Sequence, residues 1–182
     1  MRVTIDACVL YPTVMREMVL GVAATGAFEP VWSARILEEW ARAAVKLGPV
    51  GAAQARSEIA VLRAAWPMAE KEAPSHLEPR LWLPDENDIH VLATAVATSS
   101  DAIMTLNAKD FPKSVLAEEG LRRIAADEFL MDCWRENEHA VQGVAQEVLD
   151  AAQRLSGQVW EMRGLLKKAR LPRLAKALSR RG

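Results

Sequence analysis

The sequence predicts an α/β fold with a central, mostly parallel sheet flanked by helices and a helical C-terminal extension. Three observations predict it. RVTI near the start and AIMTL at Ala102–Leu106 are short, buried-type strand runs. Such runs alternate with helical segments through about residue 125, and that alternation is how a chain builds a parallel sheet. From Asp127 onward no convincing strand occurs, so the last third is expected to be helical.

RVTI is β-branched and apolar and forms a strand that ends near Asp6. Tyr11-Pro12-Thr13 interrupts the chain, and VMREMVLGVAAT keeps helical spacing until Gly26. PVW is short and extended. Ser33 is placed to cap ARILEEWARAAVKL, and Gly48-Pro49 is expected to stop that helix. GAAQARSEIAVLRAAW forms the next helix and Pro67 ends it. Residues 67–80 hold three prolines and are mostly polar, as a connector is. LWL is expected as a short buried strand or turn. LPDENDIHVLATAVA then opens a helix running from about Asn87 to Ala97. After AIMTL, Asn107 to Pro112 forms a turn, Ser114 to Glu119 a short helix, and LRRIA another strand. The expected division is a domain over 1–130 and a helical extension over 131–182.

A chain of 182 residues, 51% of them apolar, suits one domain of ordinary size with a small appendage. The net charge of −1 excludes a globally basic nucleic-acid binder but leaves a local basic patch open. Such a patch is present in the last twenty residues, RGLLKKARLPRLAKALSRRG, which carry eight Lys/Arg and no acid. Cys8 and Cys133 lack metal-ligand spacing and suit reduced core cysteines of an intracellular protein. No signal-peptide pattern is visible, and no apolar stretch reaches the roughly 18 residues a membrane span needs. A cytoplasmic location without a membrane partner is expected.

Ligands of open parallel sheets bind beyond the carboxyl ends of the strands. Asp6 stands at such an end, where a turn or cap aspartate is the plainer alternative. Asp88 precedes Val91, Leu92, Ala95 and Val96 at helical spacing, so it heads the face expected to pack on the sheet. A cap alone does not need that position, since Asp85 or Asn87 can cap from outside the face. In ARILEEWARAAVKL the inward stripe is expected to be Ile36, Trp40, Ala43 and Leu47. Glu39 borders that stripe and can reach a site at the edge of the core, although a boundary glutamate lying along the surface is the plainer alternative, while Glu38 points nearly opposite and is expected at the surface. Asp110, in TLNAKDFP, follows the strand AIMTL, and Thr105 and Asn107 leave the same strand end. Asp101 precedes that strand and belongs at the opposite edge.

Four acids are thereby expected near one rim of one sheet: Asp6, Glu39, Asp88 and Asp110. Clustered carboxylates repel one another, and divalent cations relieve the repulsion. Oxygen donors without His or Cys suit Mg²⁺ or Mn²⁺, which in hydrolytic sites activate water and stabilise charge on a phosphate. The histidines do not compete: His76 is in the connector, His139 in the C-terminal helices, and His90, two residues from Asp88, is expected on another face of its helix. No phosphate-binding glycine loop is present, and the six tryptophans form no stacking series.

IDACVLYP, WSARILEEW, LPDENDIHVLATAVA and AIMTLNAKDFP, in this order, resemble the signature segments of PIN-domain ribonucleases, and most of all the VapC-like toxins of toxin–antitoxin pairs. The resemblance covers about residues 1–130 and implies a PIN-like nuclease domain. By motif it places Asp6 as the first-strand acid, Glu39 as the helix glutamate, Asp88 as the acid opening the alanine-rich helix and Asp110 as the acid after the threonine segment, with Asn107 beside it. It implies a Mg²⁺- or Mn²⁺-dependent endoribonuclease with metal on Asp6, Asp88 and Asp110, and Glu39 direct or through water. The implied reaction is in-line attack of water on RNA, leaving a 5′-phosphate and a 3′-hydroxyl. It also implies a cognate antitoxin and a homodimer. Some relatives carry Asn where this chain has Cys8, and Asp85 is a further candidate in the variable third motif. The tail LLKKARLPRLAKAL is similar to a helical extension of one PIN subgroup. It contacts phosphates, docks Leu165, Leu166, Leu171, Leu174 and Leu178 on the domain or a partner, or is simply a solvated amphipathic helix or frayed end, the plainer alternative. The competing classes are a PIN fold that has lost activity and serves as an RNA-binding or interaction module, and a haloacid-dehalogenase-like phosphatase. The latter needs a second Asp where Cys8 stands.

Overall fold

A computed structural model describes residues 1–179. Arg180 and Arg181, the last cations of the basic tail, lie outside the described residues. The chain forms two compact units, one of Met1–Tyr11 with Glu29–Ile124, the other of Pro12–Phe28 with the chain from Ala125 onward. The segment Pro12–Phe28 therefore groups with the C-terminal helices, which no single cut along the chain expresses.

The first unit is built on a four-stranded parallel sheet in the order β2-β1-β3-β4. The strands are β1 (Arg2–Ile5), β2 (Glu29–Val31), β3 (Ala102–Met104) and β4 (Arg122–Ile124). Val3 and Ile5 on one face of β1, Thr4 on the other, and Ile103 and Met104 on the two faces of β3 are all buried, so both central strands are enclosed on both faces. Ile5 is in register with Met104. Because β2 and β3 flank β1 on opposite sides, the strand order reverses there, and parallel sheets leave a crevice beyond the carboxyl ends at such a point.

The helices of this unit are α1 (Ala7–Leu10), α3 (Ala34–Val45), α4 (Gly48–Ala65), α5 (Ile89–Ala97) and α6 (Lys113–Glu118); α2 (Thr13–Ala24) belongs to the second unit. Ser33 caps α3, its Oγ accepting from Ile36 N at 3.2 Å. Gly48-Pro49 does not so much stop α3 as start α4, with proline in the first turn, where a missing N–H costs nothing. α3 buries Ile36, Leu37, Trp40, Ala41 and Ala44. Leu47, expected on that stripe, lies beyond the helix end and is exposed. LWL forms no strand: Leu81 and Leu83 are buried while Trp82 faces outward. The extra pairing comes from the connector instead, where Lys71 N donates to Trp32 O at 2.9 Å and Trp32 N to Ala69 O at 3.0 Å.

The second unit packs α2 with α7 (Ala126–Glu136), α8 (Glu138–Ser156), α9 (Met162–Lys168) and α10 (Pro172–Leu178). Asn137 caps α8 through Ala140 N at 3.1 Å, and Gly157 at φ +65° ends it. Gly21 lets α2 lie close to α8, since a Cβ there would stand 2.5 Å from Val144 Cγ1. Asp127 caps α10 by accepting from Arg173 N at 2.9 Å and Leu174 N at 3.1 Å. Leu165, Leu166, Leu171 and Leu174 are buried. The apolar side of the tail thus docks within its own unit.

Candidate active site

The parallel register brings two side chains out of the sheet together. Asp6 N donates to Met104 O at 3.0 Å, which extends the β1–β3 ladder one residue and places Asp6 beside Thr105. Asp6 opens α1 but makes no capping bond with its side chain. Its buried carboxylate accepts from Thr105 Oγ1 at 2.6 Å and from Cys8 Sγ at 3.0 Å. Burial, reinforced by the charge of Asp6, pushes the Cys8 thiol up to about 12, so it keeps the proton that it donates. Cys8 Sγ in turn accepts from Leu106 N at 3.2 Å.

The same chain of bonds reaches the other acids. Thr105 Oγ1 accepts from Asn107 N at 2.9 Å. The Asn107 side-chain amide donates to Asp110 Oδ2 at 2.6 Å and to Asp88 Oδ2 at 3.3 Å. Asp85, Asp88 and Asp110 each offer a carboxylate oxygen within 4.8 Å of the others. Asp6 stands outside that tightest set and is tied to it through Thr105 and Asn107.

Capping duty is divided among the polar residues before α5. Asp85 Oδ1 accepts from Asn87 N and Nδ2, both at 2.9 Å, and so caps the 3₁₀ turn Glu86–Asp88. Asp88 opens α5 without a capping bond, leaving its carboxyl for the cluster. Burial pushes Asp88 up to about 6, and repulsion from Asp6, Asp85, Asp110 and Glu39 adds to the rise. Asp6, Glu39 and Asp110 therefore each stand close enough to Asp88 for their charge to act on it. Asp85, in addition to its turn role, belongs to the same group.

Glu39 enters by another route. His90 Nε2–H donates to Glu39 Oε1 at 2.7 Å, joining α5 to α3. Helical spacing puts His90 on a different face of α5 from Asp88, and that face turns out to meet Glu39 of α3, a contact the spacing does not reveal. The reason is physical: α5 buries every residue from His90 to Ala95, so it has no solvent face there for a histidine to occupy. The small residues Ala93, Thr94 and Ala95 around the helix are the available signal. His90 Nδ1 is buried without a hydrogen-bond partner. Glu38 faces outward and pairs with Arg56 at 3.3 Å, a bond that lowers its pKa, and with Arg42 at 3.6 Å. Asp101 accepts from Arg2 N at 2.6 Å at the opposite end of the sheet.

Every donor in the Asp85–Asp88–Asp110 set is a carboxylate oxygen, and the repulsion that lifts Asp88 is what a bound cation would relieve. The group fits a hard divalent ion.

A family model described as PIN domain matches residues 2–109, more than half of the sequence. The chain belongs to the PIN-domain family. PIN domains are generally nucleases and typically use divalent metals, with which the acidic cluster is compatible. The matched span holds Asp6, Glu39, Asp85, Asp88, Thr105 and Asn107, and Asp110 follows its last residue. No curated protein and no solved structure matches the chain significantly. Among the described residues, no helix is long and apolar enough to cross a membrane.

Proposed function

We propose that this PIN domain is a Mg²⁺- or Mn²⁺-dependent endoribonuclease that hydrolyses RNA phosphodiester bonds as the toxin of a VapC-like toxin–antitoxin pair. The observation that carries the catalytic part is the convergence of Asp85, Asp88 and Asp110 within 4.8 Å, tied to Asp6 at the crevice between β1 and β3. Asp6, Asp88 and Asp110 would hold metal, with Asp85 beside them and Glu39 direct or through water. When bound, the ion supplies acidification of water and neutralisation of phosphate charge. The chain's own contribution is orientation. Thr105 fixes Asp6, Asn107 holds Asp88 and Asp110 at one spacing, and His90 fixes Glu39. The toxin role, a cognate antitoxin and a homodimer rest on the resemblance of the four motifs.

Purified protein incubated with assorted RNAs and Mn²⁺ tests the reading, with EDTA and Asp6→Asn as controls. Cleavage in Mn²⁺ that EDTA and the substitution both abolish is expected. Cleavage that persists unchanged in Asp6→Asn overturns the assignment. Binding without cleavage of any RNA favours the inactive RNA-binding module.

A further inference from the structure

We infer that the solvent face of α9–α10 is a docking surface for the phosphate backbone of single-stranded RNA. The inference rests on the ribonuclease reading for the identity of its ligand. Its first support is an asymmetry of charge along the chain. Residues 1–161 carry 15 Lys/Arg against 24 Asp/Glu, a net charge of −9, whereas residues 162–182 carry eight Lys/Arg and no acid. A polyanionic substrate meets net negative charge over the first 161 residues and concentrated positive charge in the basic segment, so the strongest long-range attraction is to that segment.

The second support is how that segment folds. Leu165, Leu166, Leu171, Leu174 and Ala175 are buried, which leaves Arg163, Lys167, Lys168, Arg170, Arg173 and Lys176 exposed. Cations on an ordinary solvated helix face are commonly matched by acids at helical spacing. Among the described residues of this face only Arg173 has an acidic partner, Glu128 at 2.7 Å. Lys168 instead lies over the Trp160 ring, 4.8 Å from its centroid. Arg163, Lys167, Arg170 and Lys176 have no ion-pair partner among the described residues. Four unneutralised cations on about twenty residues of a net-acidic chain form a concentrated positive field without internal compensation.

RNA is favoured over an anionic membrane by the same burial pattern. An interfacial helix inserts an apolar face beneath its cations, and the apolar residues of α9 and α10 are already used in their own unit. Leu155, in the last turn of α8, and Val159, between α8 and α9, are exposed, but two side chains do not make an inserting face.

The test is fluorescence anisotropy of a labelled single-stranded RNA of about twenty nucleotides with the full chain in EDTA, across a salt series. Each phosphate that the protein no longer neutralises flattens the slope of log affinity against log salt by about 0.7. Wild type is expected to bind with a steep salt dependence. Arg163→Gln, Lys167→Gln, Arg170→Gln and Lys176→Gln together are expected to weaken binding about tenfold or more at low salt and to flatten the slope by about 2–3. A charge-retaining control, Arg163→Lys with Arg170→Lys, is expected to keep the slope. Unchanged binding and slope in the fourfold variant overturn the inference, as does a wild type that binds no RNA. Phosphatidylserine vesicles bound as tightly as RNA, with the same weakening in the variant, overturn it in favour of a membrane. Mn²⁺-dependent cleavage is scored separately. If wild type fails to cleave but the EDTA binding behaves as stated, the surface stands and the ribonuclease reading falls. If cleavage stands and the slope does not move, the reverse holds.

Discussion

Replacing Asp88 by Asn is expected to abolish nuclease activity and yet to stabilise the metal-free protein at neutral pH. The folded state holds the Asp88 proton more tightly than the unfolded state does, because burial and four neighbouring acids raise its pKa from 3.8 to about 6. Its contribution to stability is therefore full below pH 3.8, is lost as pH rises, and is gone above about pH 6. At about 1.4 kcal/mol per pH unit the rise corresponds to about 3 kcal/mol at most. Asp88 is only half-buried, and solvent screening brings this to about 1–2 kcal/mol. The Asn carbonyl still accepts from Asn107, so little stands against that gain. For a chain of this size about 1–2 kcal/mol raises Tm by about 2–8 °C. The assay is thermal or urea unfolding of both proteins in EDTA at pH 7 and at pH 4. The advantage of Asp88→Asn should be present at pH 7 and mostly gone at pH 4. An Asn variant less stable than wild type at pH 7, or a difference that does not change between the two pH values, refutes the electrostatic reasoning.

Three further outcomes are expected. Mn²⁺ at about a hundred times its Kd should stabilise wild type by about 2.7 kcal/mol and Asp88→Asn by much less, read as Tm with and without EDTA. His90→Ala should lower kcat or metal affinity about 10–100-fold, while His90→Gln, whose amide can occupy the Nε2 position, should recover much of it; equal loss in both argues that His90 acts through packing alone. Gly21→Ala should cost about 1–3 kcal/mol in urea unfolding, because the added Cβ would stand 2.5 Å from Val144 Cγ1, and Val144→Ala in the same chain should restore much of the loss.

The sheet and the acids are legible in the sequence because their signals are local. RVTI, AIMTL and LRRIA are short strands with flanking breaks, and an acid just past a strand end needs only chain order to be placed. Periodicity also separates Glu39 from Glu38, although it carries the stripe on to Leu47 when the helix has ended at Val45. His90 escapes for a different reason. A three-and-four spacing assumes one buried face, and α5 is buried all round. The grouping of Pro12–Phe28 with the C-terminal helices is also beyond sequence reading, since it depends on which distant helix covers α2. Nor does sequence spacing show Cys8 bonding to Asp6, because that bond is set by a one-turn helix at the end of β1.

The donors that hold the carboxylates explain how so much negative charge stays assembled without being discharged. A lysine or arginine at the position of Asn107 would pair with Asp88 and Asp110, lower the repulsion and compete with a metal for the same oxygens. The chain instead uses an uncharged amide at Asn107, a hydroxyl at Thr105 and a protonated thiol at Cys8. Thr105 and Cys8 each donate one hydrogen bond to Asp6, and Asn107 donates to both Asp88 and Asp110, so the carboxylates are oriented while their charge stays in place. That retained charge adds to the effect of burial in raising the pKa of Asp88. Asp85 follows the same logic. Its Oδ1 is engaged by Asn87, so it can close the turn before α5 and still add charge to the cluster. Substituting Asn107 by Lys should therefore stabilise the metal-free fold and weaken the metal site, which separates a group built for stability from one built to receive a cation.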